Sequence, residues 1–90
     1  MAERLVGIVT HYFPGPNVAV VKLSDGELAV GDHVHFVGHT TDFEEDVSSI
    51  EVEHHKVARA SPGAEVGVQV LTRVRPHDKV YKVVSEGVAD

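Results

Sequence analysis

This sequence predicts an all-β fold: a small closed or partly open antiparallel β-barrel of about six strands. Three observations carry that expectation. Short runs rich in β-branched residues recur along the chain, turn-forming residues separate them, and no stretch has the apolar periodicity of a helix. The punctuation is regular: Pro14-Gly15-Pro16-Asn17, Ser24-Asp25-Gly26-Glu27, Val30-Gly31-Asp32, Ser61-Pro62-Gly63 and Arg75-Pro76-His77-Asp78. Each favours a turn through a fixed proline φ, a glycine at positive φ or an Asx or Ser side-chain bond. Ninety residues, 42% of them apolar, suit one domain over residues 1–90 with a single core.

The first run, Leu5–Tyr12, precedes the Pro14–Asn17 turn. Val18–Leu23 follows, and because Val18, Ala19, Val20 and Val21 are apolar on both faces it reads as a central or covered strand whose inward face is open. In His33–Val37, Val34 and Phe36 oppose His33 and His35, the period-2 signature of a half-buried strand. Thr41-Asp42-Phe43-Glu44 has capping-box spacing, but no apolar period follows it, so it reads as a strand edge or loop with at most one helical turn. Val47–His54 sets Ile50 and Val52 against Glu51 and Glu53, and Glu65–Leu71 sets Val66, Val68 and Val70 against Glu65, Gly67 and Gln69. Lys79–Val84 is the sixth strand. Gly31 and Gly63 are expected at positive φ, Asp32 is expected to bond the N–H groups that follow it, and Gly67, inside a strand, marks a close backbone approach or a bend.

Charge is unevenly placed. Between Leu23 and His55 lie nine acids, Asp25, Glu27, Asp32, Asp42, Glu44, Glu45, Asp46, Glu51 and Glu53, with no Lys or Arg. From Lys56 onward the balance reverses, with Lys56, Arg59, Arg73, Arg75, Lys79 and Lys82 against Glu65, Asp78, Glu86 and Asp90. The net charge of −6 disfavours the phosphate contacts that supply most non-specific nucleic-acid affinity. The lack of cysteine excludes disulfides and thiolate metal sites and fits a cytoplasmic location. No signal peptide is read at Met1-Ala2-Glu3-Arg4, and no apolar segment approaches the roughly 20 residues that span a bilayer, so no membrane partner is expected.

Read in order, Val6-Gly7-Ile8-Val9, Val18–Leu23, Leu28-Ala29-Val30-Gly31-Asp32-His33-Val34-His35-Phe36-Val37-Gly38, Val47-Ser48-Ser49-Ile50, Val57-Ala58-Arg59-Ala60 and Gly63-Ala64-Glu65-Val66-Gly67-Val68 resemble the second domain of translational GTPases such as elongation factor Tu. The resemblance spans nearly the full chain and implies a β-barrel that docks RNA, on the ribosome or tRNA, or a protein. No phosphate-binding loop is present, so no GTP binding is expected. Related barrels are also appended to other enzymes, including some U32-type peptidases, which makes a protein-only adaptor or an accessory subunit of such an enzyme the alternative. The basic group Lys56, Arg59, Arg73, Arg75, Lys79 and Lys82 is the expected macromolecular contact, with RNA and protein both open and the oligomeric state unassigned.

Chemistry in a cysteine-free chain falls to histidine. His33 and His35 leave one face of a strand and, with Asp32 or a strand neighbour, have the donors for a divalent metal. Solvent-facing side chains are their ordinary role, since a site needs a third ligand and an outer shell, and the expectation is no metal and no cofactor. Five histidines, His33, His35, His39, His54 and His55, share the acidic stretch, so protonation below about pH 6.5 would offset part of its charge. No serine has a nucleophile-elbow context and no carboxylate spacing stands out, so no catalytic residue is assigned and a non-enzymatic binding module is expected.

Overall fold

The computed structural model describes residues 2–84; Met1 and residues 85–90, with the Glu86 and Asp90 charges, lie outside them. Ten strands follow in order: β1 (Ala2–Phe13), β2 (Val18–Lys22), β3 (Leu28–Ala29), β4 (His33–Val37), β5 (Asp42–Asp46), β6 (Ile50–Val52), β7 (His55–Val57), β8 (Arg59–Ala60), β9 (Glu65–Gln69) and β10 (Lys79–Val84). Eight form one antiparallel sheet in the order β5-β4-β10-β1-β2-β9-β6-β7, and β3 pairs with β8. The all-β class is as expected, and no helix occurs among the described residues. Barrel closure is not made: among these residues no ladder joins β5 to β7, the two ends of the sheet.

The long first strand is the spine. It pairs with β10 through its first half and β2 through its second, and its register shifts at Leu5/Gly7 and again at Val9/His11. Side chains three apart point to opposite faces of a regular strand; the bulges change that phase, and Val6 and Val9 are both buried. Gly7 sits at the first bulge with the Lys22 carbonyl where a Cβ would stand, so no larger residue fits without moving a backbone.

Ala19 and Val21 of β2 point into the core while Val18 and Val20 lie half-buried on the opposite face, which settles the face left open by sequence. Val34 and Phe36 of β4, Ile50 of β6, Val66 and Val68 of β9 and Val80 of β10 complete the packed interior with Leu23, Leu28, Val47, Val70 and Val74. Phe36 stacks on Phe43 of β5 with ring centroids 5.0 Å apart, which anchors the otherwise acidic end strand. Gly31 and Gly63 take φ of 96° and 97°, as their turns require. Asp32 bonds backward rather than forward: its carboxylate accepts from the Ala29 N–H at 2.9 Å.

Candidate functional site

Inward Val34 and Phe36 force His33 and His35 outward, and the β4–β5 register then sets His33 opposite Asp46, His35 opposite Glu44 and Val37 opposite Asp42. On the far side, His35 faces Tyr81 of β10, and Glu3 of β1 faces Val83, so Glu3 belongs to the same outer face. A ladder of imidazoles and carboxylates results. His33 lies 2.7 Å from Asp46 through Nδ1 and 2.7 Å from Glu44 through Nε2. His35 lies 2.8 Å from Glu3 through Nδ1 and 2.6 Å from Asp42 through Nε2.

A neutral imidazole has one N–H, so two carboxylates at its two nitrogens favour the doubly protonated ring. Hydrogen bonds to Asp46 and then Glu44 raise the His33 pKa above its ordinary value. The bond to Asp42, aided by Glu3 and opposed by burial, does the same for His35. Nearby on β5, burial raises the Glu45 carboxyl, partly offset by the Leu71 N–H that it accepts at 3.0 Å. Sequence reasoning found the two histidines but missed Glu3, Asp42, Glu44 and Asp46 as their partners. The alternation of Asp42, Glu44 and Asp46 is the available signal, obscured by the low strand propensity of the acids that fill the segment. Asp32, the suggested third ligand, is instead engaged with Lys82 at 3.3 Å.

The second feature is a groove of about 570 Å³ over the outer face of β2, β9 and β6. Val18, Val20 and Phe13 form its apolar part, with Phe13 46% exposed at the edge. Gly67 makes the depression: it faces Val20 across one ladder and Glu51 across the other and has no side chain to fill the space between them. Glu51, Glu53, His54 and Glu65 also line the groove, the last fixed by the Thr10 hydroxyl, which donates to it at 3.0 Å. Glu53 and His54 turn the β6–β7 hairpin with φ of 50° and 67°. Both values lie in the left-handed region that a two-residue hairpin demands and that Asn and Gly occupy most cheaply.

The basic group is spread over β7, β8, the segment between β9 and β10, and β10 itself. Lys82 is held by Asp32, Arg75 Nε donates to Thr40 at 3.0 Å, and the Arg73 guanidinium lies 5.9 Å from the Tyr12 ring centroid. Lys56 faces Glu51 across β6–β7, while Arg59 and Lys79 are exposed. No described helix is long and apolar enough to cross a membrane.

No family model matches this chain. A collagenase of Porphyromonas gingivalis is 35% identical over 81 residues, which are 89% of this chain and 22% of that protein. An uncharacterized protease of Methanocaldococcus jannaschii is 35% identical over 77 residues, 84% of this chain and 19% of that protein. The chain thus spans about a fifth of the length of these curated relatives. Among solved structures, the C-terminal domain of a Geobacillus thermoleovorans putative U32 peptidase superposes with a TM-score of 0.83 at 24% identity, covering 90% of this chain and 93% of that one. These matches overturn the elongation factor Tu resemblance and, with it, the expectation of a translation elongation factor-like module. The glycine motifs that suggested it serve local turns, as the φ values of Gly31 and Gly63 attest, and such turns recur in unrelated small β folds. The fold of this chain is that of the C-terminal domain of the Geobacillus thermoleovorans putative U32 peptidase.

Proposed function

We propose that this chain is an accessory binding domain of a U32-type peptidase system, with the β2–β9–β6 groove as its contact surface and the peptidase core as the occupant. The observation that carries the reading is the placement of the similarity: 81 residues of this chain correspond to only 22% of a collagenase, which leaves the larger part of that protein to other segments. Two features of the groove support a polypeptide over RNA. Its apolar part offers Phe13, Val18 and Val20, and its carboxylates Glu51, Glu53 and Glu65 repel phosphate while suiting a segment that carries basic residues. No catalytic step is assigned to the domain.

Calorimetric titration of this chain into a U32 peptidase core from the same organism tests the reading. Saturable binding is expected, weakened at least tenfold by Gly67→Val, which fills the depression. Absence of binding to the core overturns it. Binding of an extended basic peptide without binding of the core would replace the proposed occupant with a substrate.

A further inference from the structure

We propose that Glu3, His35 and Glu44 form a binding site for one transition divalent cation of the zinc type. One ligand atom from each lies within 4.8 Å of the others. The three come from β1, β4 and β5, strands whose registers are set by inward packing of Val6, Val34 and Phe36, so the framework is in place without an ion. Tetrahedral zinc with bonds of 2.0–2.2 Å sets donors about 3.4 Å apart. Glu3 and Glu44 are exposed enough to reach that spacing by side-chain rotation, Glu3 opening from its 2.8 Å contact with His35, with relative side-chain exposures of 40% and 47%.

The groups behind the ligands are those a metal site needs. Asp42 lies 2.6 Å from His35 Nε2 and Glu3 2.8 Å from Nδ1, so an ion that displaces the Nδ1 proton leaves the Nε2 N–H donated to Asp42. A carboxylate holding the remote nitrogen of a ligating histidine is the usual outer-shell arrangement, and it raises the basicity of the ring. His33 does the corresponding service for Glu44, contacting Oε1 from Nε2 at 2.7 Å and leaving Oε2 for an ion, while Asp46 holds the other His33 nitrogen. Glu3, Asp42, Glu44 and Asp46 place four carboxylates on this face, and every ion pair described for them is to a histidine, so an ion that displaces a histidine proton meets a surplus of negative charge. The imidazole nitrogen selects zinc and its neighbours over calcium or magnesium, which favour all-oxygen sites.

Calorimetry of the chelator-stripped chain with Zn²⁺ should give one ion per chain. His35→Gln and Glu44→Gln should each weaken it at least tenfold, with His55→Gln unchanged. Wild-type protein titrated with paramagnetic Co²⁺ gives a readout that needs no variant, with NMR line broadening expected at the start of β1 and along β4 and β5. Loss of Zn²⁺ binding in His35→Gln with folding intact by circular dichroism supports the site. No Zn²⁺ binding, unaltered binding in both ligand variants, or broadening centred on His54 and His55 would overturn it.

Discussion

His33 and His35 are the residues whose surroundings most change their behaviour. Each has carboxylates at both ring nitrogens, and each pKa is raised, by Asp46 and Glu44 for His33 and chiefly by Asp42 for His35. A histidine whose folded pKa exceeds its unfolded one adds stability that is fully present below about pH 6.5 and is lost as pH climbs through the folded value. The metal-free chain, kept in chelator, should therefore melt at lower temperature as pH rises from about 6 to 8, and the doubly substituted His33→Gln, His35→Gln chain should lose that slope. A wild-type melting temperature that rises over this range would contradict the assignment. Gly7 offers a second residue-scale test. Gly7→Ala drives a Cβ into the Lys22 carbonyl and should cost about 1–3 kcal/mol by chemical denaturation, whereas Gly15→Ala, with open space around it, should change little.

Among the elements, the β6–β7 hairpin is built against the propensity of its turn residues. Glu53 and His54 hold positive φ where Asn and Gly would cost less, and both line the groove. The double substitution Glu53→Asn, His54→Gly should raise stability by about 1 kcal/mol while weakening attachment at the groove. Equal stability and unchanged affinity would show the turn to be indifferent. The end strand β5 depends on Phe43, so Phe43→Ala should loosen it and speed amide exchange from Phe43 to Glu45, by removing the stacking on Phe36. Strands with a clear alternation were legible in the sequence: β4 falls on the expected boundaries, His33–Val37, and Val66 and Val68 of β9 face inward. β3 and β8 are two residues each, too short to leave a period, and β5 carries mostly acids, whose low strand propensity is overridden by pairing with β4. The histidine site was half legible for the same reason: its imidazoles lie on a recognisable strand, whereas its carboxylates come from β5 and, across β10, from β1. Tertiary register, not local spacing, brings them together. Of the groove, the sequence marks only Gly67, as a close backbone approach or a bend.

At the scale of the whole molecule, the two outer features divide the sheet. The histidine–carboxylate ladder occupies β5 and β4 and reaches β1 across β10, and the groove covers β2, β9 and β6. Acidic residues mark both, which is where the charge asymmetry of the sequence goes in three dimensions. The most direct test of an accessory domain that works through the groove is NMR of the isotopically labelled chain as an unlabelled U32 peptidase core is added. Amide shifts should move around Phe13, Val18, Val20, Glu51 to His54 and Gly67, with Gly67→Val abolishing them. A spectrum unchanged by the core, or shifts confined to Arg73, Arg75 and Lys79, would contradict it.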